Sequence, residues 1–364
     1  MYKTITVKKS VSLAGATLIL IASGLLLSIP ETGADGVHIG LSLCYNVVIP
    51  SLFPFLFLTD FASSLLTCGG AKGAAALSLF FGLVGGYPTG ARALSRCVER
   101  GIMSQDKGSR LLACSVNAGP AFLITGVGCG MFGSQLSGVL LFASLTGASV
   151  AIGSAILIFS HNHGSSPHSA TRKATEISHC PNSGLGTAAT GAFGESLSFA
   201  VRATVSLCGY VTLFSCAGAY LSAALSIMQS GDWVRLAAMS ALEVTTGCSM
   251  AAELGGVHGI LCACGVLSMC GICVLLQVKS ICRECGMSMK YFLLLRPAHF
   301  VLSLSLLKLL LTFFDVALPA SFVVGGTLTR AFSFSPPASA ALLALSFVFL
   351  LCDKRFFGFT NRRY

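Results

Sequence analysis

Apolar stretches long enough to cross about 30 Å of hydrocarbon recur along this chain. They run at roughly 11–30, 37–67, 110–133, 135–159, 203–227, 257–279, 291–314 and 338–352. In hydrocarbon every backbone N–H and C=O must be satisfied internally, so each stretch is expected as a helix. Lys3, Lys8 and Lys9 precede the first stretch as they would a signal peptide. It lacks a small-residue cleavage site and is long enough to span, so it is read as a helix. Two further apolar segments, about 73–91 and 236–255, are too short or too broken to cross. Gly85-Gly86-Tyr87-Pro88-Thr89-Gly90 interrupts the first and Glu243-Val244-Thr245-Thr246-Gly247 the second, so both read as re-entrant helical hairpins. The expected fold is all-α: a polytopic membrane helix bundle of about eight transmembrane helices plus two re-entrant hairpins.

Composition agrees with that pattern. The 364 residues are 54% hydrophobic and 10% charged, with a mean hydropathy of +0.83. A soluble chain is about one quarter charged. Soluble globular, disordered, collagen-like and nucleic-acid-binding classes are excluded together. The net charge of +10 is dispersed between apolar stretches, as topology requires. With the N-terminus inside and both hairpins returning to their own face, eighteen of the 23 Lys and Arg residues fall inside. Arg202, Arg235, Arg296 and Lys308 lie in or beside apolar segments instead. Most of the 16 cysteines sit in apolar runs, where a thiol acts as a small hydrophobe. No metal site is expected, although the C-x-x-C spacing of Cys282 and Cys285 leaves a redox or metal role open. The hydrophilic segment 160–190 carries His161, His163, His168 and His179 at irregular spacing and almost no carboxylate, which reads as a cytoplasmic linker.

The linker separates two related halves. Phe53-Pro54-Phe55-Leu56-Phe57 precedes the first hairpin and Tyr210-Val211-Thr212-Leu213-Phe214 the second. The same offset of 157 carries Thr89-Gly90 onto Thr246-Gly247. Each hairpin is followed by a span with a break, at Asn117-Ala118-Gly119-Pro120 and at Cys270-Gly271, the latter leading to Gln277. Under the charge-derived topology the halves run in opposite directions, which describes an inverted repeat. The expected organisation is an N-terminal membrane helix (1–36), a first repeat (37–159), the linker (160–190), a second, inverted repeat (191–314), and a C-terminal membrane helix with a basic tail (315–364).

Breaks in spanning helices persist chiefly where they line a cavity. Pro50 and Pro54 are expected to interrupt the second span, and Asn117-Ala118-Gly119-Pro120 the third. Hairpin tips and broken spans meeting at mid-depth would present helix N-termini, which suit an anionic ligand. The substrate-binding candidates are Ser51, Tyr87, Thr89, Gly90, Arg92, Asn117, Thr245, Thr246 and Gln277. Glu243, a carboxylate in an apolar stretch, is the coupling candidate, working with H+ or Na+ and no other cofactor. Arg296 and His299 bracket Pro297 within a span but have no evident partner. No G-x-x-x-x-G-K-[ST], H-E-x-x-H or G-x-S-x-G constellation is present, so an enzyme is not expected. The expected partners are the lipid bilayer and a small anion, with no nucleic acid and a homo-oligomer left open.

Five motifs carry a resemblance. Pro50-Ser51-Leu52-Phe53-Pro54-Phe55, Gly86-Tyr87-Pro88-Thr89-Gly90-Ala91, Asn117-Ala118-Gly119-Pro120-Ala121-Phe122, Leu242-Glu243-Val244-Thr245-Thr246-Gly247 and the Gly271-to-Gln277 run resemble the sporulation integral membrane family, the stage V group of spore-forming Firmicutes. The resemblance covers about 11–315 and implies a wider kinship with the nucleoside recognition, or Gate, domains. It implies a bacterial multi-pass membrane protein that moves dipicolinic acid into the forespore across the outer forespore membrane. A nucleoside-type transporter, or a non-transporting membrane scaffold for spore envelope assembly, are the alternatives. The high cysteine content, the His-containing linker and Cys270 beside Gly271 depart from the family pattern.

Overall fold

The computed structural model describes residues 16–17, 19–67, 74–162 and 185–314, and these are almost entirely helical, with no strand among them. The chain is an all-α, polytopic membrane helix bundle. Helices α1 (Ile19–Ser28), α2 (Pro30–Leu43) and α3 (Ile49–Thr67) open it. The first hairpin pairs α4 (Ala74–Gly85) with α5 (Tyr87–Glu99). It is followed by α6 (Gln105–Ser115), a π-helix (Ala121–Met131) and α7 (Gln135–Asn162). The second half comprises α8 (Leu185–Ile227), a hairpin of α9 (Asp232–Leu242) and α10 (Val244–Leu254), then α11 (Gly256–Met269), α12 (Ile272–Cys285) and α13 (Lys290–Phe313).

Five stretches among the described residues are long and apolar enough to cross a membrane: Pro30–Ala62, Gln135–Phe159, Thr190–Ile227, Gly256–Cys285 and Lys290–Phe313. Each overlaps an expected span. The expected span 110–133 is instead divided between α6 and the π-helix, neither of which reaches spanning length. The C-terminal helix and basic tail (315–364), most of the linker and the first residues of the N-terminal helix lie outside the described residues.

Two expectations are corrected. Residues 31–36, left between the expected spans 11–30 and 37–67, are helical; Glu31 and Asp35 belong to α2, which Pro30 starts at the helix position where its missing N–H is harmless. Nor does Pro54 interrupt α3, which passes through it. The distortion lies upstream, in a π-helical turn at Cys44–Val48 just before Pro50. An extra residue in that turn accommodates the donor that Pro50 lacks. Hydroxyls occupy carbonyls along the same stretch, from Ser51 to Val47 at 2.5 Å and from Thr59 to Phe55 at 2.6 Å.

The hairpins bend where the backbone demands it. Gly86 takes φ +91° and ψ −175°, a region essentially restricted to glycine. Pro88 follows within the first turn of α5. At the second tip Glu243 is extended, at φ −145° and ψ 127°. An arm of 11 or 12 residues rises only about 17 Å, short of the hydrocarbon thickness.

The element order of the first half recurs in the second: long helix, hairpin, helix, break, helix, long helix. Packing between halves is reciprocal. α5 lies on α12 and α10 on the π-helix; α6 lies on α13 and α11 on α7. α3 meets α8, and α7 meets α13. Beside this arrangement α2 and α3 run antiparallel to the 43-residue α8. Gly36 and Gly40 make the approach possible: a methyl there would fall 2.6 Å from the Cα of Cys216 and of Thr212, respectively. Small residues at such crossings let backbones pack closely in lipid. The buried core runs through α5, α6, α7 and α10–α13, while α2, α8 and the outer face of α13 expose large aliphatic side chains.

Candidate functional site

Four interruptions converge on one crevice. Gly86, Tyr87 and Pro88 come from the first hairpin tip, Glu243, Val244 and Thr245 from the second. Gly119 and Phe122 come from the break after α6 and the first turn of the π-helix that follows it, and Cys273, Val274 and Gln277 from the first two turns of α12, just after the Cys270–Gly271 break. Val48, Leu52, Leu207 and Val211 close it with apolar surface. Its volume is about 40 Å³, space on the order of a single water.

The helix ends around it are charged in a definite pattern. Helix N-termini carry about half a positive charge and orphan N–H groups. Those of α5, the π-helix and α12 have no side-chain cap. The N-terminus of α10 is different. Glu243, 3% exposed, caps it with both carboxylate oxygens, accepting from Thr245 N at 2.8 Å and Thr246 N at 2.6 Å. A helix end that suits an external anion is here occupied by the chain's own carboxylate.

Arg296 serves the opposite poles. It is 3% exposed and donates to Val116 O at 2.6 Å and to Ser268 O at 3.1 Å. These carbonyls end α6 and α11, where the dipoles are negative. The guanidinium also lies 4.0 Å from the Phe292 ring centroid. Tyr87 Oη donates to Leu267 O at 3.1 Å, joining the first hairpin tip to the same end of α11. His299 bonds Ser149 at 3.0 Å, and Ser149 in turn accepts from Asn117 Nδ2 at 2.8 Å. Arg296 and His299, expected to be unpartnered, are therefore bracing groups for both broken spans.

Of the candidate residues, Tyr87, Glu243, Thr245 and Gln277 line the crevice. Ser51 lies beside it with its hydroxyl on Val47 O. Thr89 donates to Gly85 O at 3.0 Å and Gly90 packs on Ser115 O, so both serve the hairpin's own packing. Asn117 is turned away onto α7, donating to Leu145 O at 3.1 Å. Thr246 faces a separate cavity of about 300 Å³ between α2, α8, α9 and α10. Arg92 is not at the crevice. It lies 3.6 Å from both Glu99 and Glu284 and over the Phe199 ring. Nearby, Arg96 pairs with the buried Asp60 at 2.8 Å and donates to Ser64 at 2.7 Å. Gln277 donates to Cys273 Sγ at 3.2 Å, and Cys282 and Cys285 are buried on α12.

Comparison with known proteins narrows the context. The chain is 22% identical over 320 residues to the sporulation integral membrane protein YlbJ of Bacillus subtilis, covering 77% of this chain and 78% of that one. The likeness is to a sporulation membrane protein. No family model matches the chain, and no solved structure matches it. At this identity the coarse statement holds, an integral membrane protein related to one of sporulation.

Proposed function

We propose that the chain is a secondary transporter of a small organic anion, with dipicolinate as substrate, acting in a membrane of the sporulating cell. One observation carries this reading: three uncapped helix N-termini face a single crevice built from four backbone breaks. Such an array stabilises negative charge without a competing side chain. Dipicolinate is a planar dianion, and the sporulation motifs and the likeness to YlbJ favour it over a nucleoside. The recurring element order and reciprocal packing support an inverted repeat of Gate-like halves, with both hairpins re-entrant from opposite faces.

Glu243 suggests how coupling works. Its carboxylate holds the N–H groups of Thr245 and Thr246. A proton or Na+ arriving at Glu243 weakens that hold, freeing both donors for the substrate's carboxylate. Two anions cannot share one helix end cheaply, so cation and substrate enter together. The closed crevice requires the hairpin tips to separate before substrate is admitted.

The test is uptake of labelled dipicolinate into vesicles containing the purified chain, with uridine as the comparison substrate. Saturable dipicolinate accumulation that uridine does not inhibit is expected. Uptake no faster than in empty vesicles would overturn the proposal. Labelling of cysteines placed at residues 100–107, on a cysteine-depleted background, is expected from the cytoplasmic side alone. Labelling from the other side would refute the re-entrant topology.

A further inference from the structure

A third cavity, larger than the two above, lies between α9, α11, α12 and α13, with a volume of about 840 Å³. Its walls are apolar, contributed by Leu236 and Ala237 of α9, Leu261 and Val266 of α11, Leu275 of α12 and Phe300 of α13. No carboxylate lines it, and its one charged residue is Lys308. In the first half the corresponding helices, α4 and α6, pack directly on each other. In the second half α9 and α11 face each other across open space instead.

The depth of the cavity can be read from the helices. Arg296 donates to Ser268 O, so that level of α13 coincides with the break after α11. Lys308 lies twelve residues further along α13, a rise of about 18 Å. Trp233 lies at the outer end of α9, nine residues from its tip at Leu242, a rise of about 14 Å. The cavity thus runs from a Trp–Lys pair to the Cys270–Gly271 break, through about half of a 30 Å hydrocarbon layer. Trp and Lys are the residues that mark the headgroup level of a bilayer.

We propose that this cavity is a binding site for an anionic glycerophospholipid, with one acyl chain between α9 and α11 and the headgroup phosphate on Lys308. The site spans one leaflet, is open to lipid along its length, and has a cation only where the phosphate would sit. The bound chain takes the place of the direct helix-to-helix packing that α4 and α6 make in the first half. The lipid is then a structural element of the second hairpin, holding α9 away from α11.

The test uses the purified full-length chain in detergent, stripped of lipid, with dioleoyl phosphatidylglycerol and dioleoyl phosphatidylcholine as probes. Native mass spectrometry counts bound lipid, and the unfolding midpoint is followed as each is added. Phosphatidylglycerol is expected to be retained several-fold better and to raise the midpoint further. Lys308→Gln should remove that preference while leaving residual binding of both lipids. Ala237→Trp fills the cavity from its exposed face and should abolish retention of both. Ser305→Trp fills it from α13 and guards against a folding defect in the first variant. Lys290→Gln, at the opposite end of α13, should leave the preference intact. Equal retention of the two lipids by the unaltered chain, or undiminished retention by both Trp variants, would overturn the proposal.

Discussion

Replacing Glu243 by alanine removes the acceptor for two N–H groups at once. The residue is 3% exposed, and its oxygens stand 2.8 and 2.6 Å from Thr245 N and Thr246 N. A buried donor left without an acceptor costs about 1–3 kcal/mol. Two of them give about 2–6 kcal/mol, a large share of the roughly 5–15 kcal/mol that holds a domain folded. Glu243→Gln keeps one carbonyl oxygen but turns an amide NH2 toward the second donor, so about half of that loss is expected. Thermal unfolding in detergent, followed by far-UV circular dichroism, should rank native above Gln and Gln above Ala. The two variants separate differently in transport. The Gln side chain resembles the protonated acid, so concentrative uptake should vanish while substrate exchange at equilibrium survives. An alanine variant that unfolds with the native protein would refute the capping role. Normal accumulation by the Gln variant would refute coupling through Glu243, leaving its cap purely structural.

Three further outcomes are expected. Gly90→Ala places a methyl 1.9 Å from Ser115 O and 2.9 Å from the Cα of Gly82, backbone on both sides, so the folded yield should collapse, whereas Gly209→Ala, with nothing within 4 Å, should purify normally. Arg296→Met strands the carbonyls of Val116 and Ser268, and charged hydrogen bonds of about 1.5–3 kcal/mol each predict a clear drop in the unfolding midpoint. Arg296→Lys, with a single point charge in place of the fork, should recover only part of it. Cys270 sits at φ +55°, so Cys270→Gly relieves about 1 kcal/mol of backbone strain and should hold or raise the midpoint, while Cys270→Ala should not.

The backbone breaks were the most legible part of the sequence. Gly86, Glu243, the Asn117-to-Pro120 run and Gly271 all mark real interruptions, because Gly and Pro act locally and need no distant partner. Tyr87, Glu243, Thr245 and Gln277 followed from those breaks. Ser51 and Thr89 show what the sequence conceals: a hydroxyl on a helix can satisfy itself on the carbonyl four residues back, as both do here. Arg92 faces carboxylates of which Glu284 lies in the other half, beyond any local pattern. Arg296 hid its role because its partners are backbone carbonyls, which leave no side-chain motif. The polar character of 185–202 likewise concealed that this stretch is the continuous beginning of α8.

The length of α8 has a practical consequence. Forty-three residues of continuous helix rise about 65 Å, against some 40–45 Å for a whole bilayer with its headgroups. Ordinary tilts, at most about 40°, cannot take up the difference. Its antiparallel neighbour, α2 and α3 together from Pro30 to Thr67, is itself longer than the bilayer is thick, and the aromatic cluster of Phe57, Phe61 and Phe193 ties the two together. A stiff two-stranded stub must therefore stand clear of the detergent belt. In electron cryomicroscopy of so small a membrane protein, that stub is where a helical fusion partner can be joined in register, as a rigid fiducial for particle alignment.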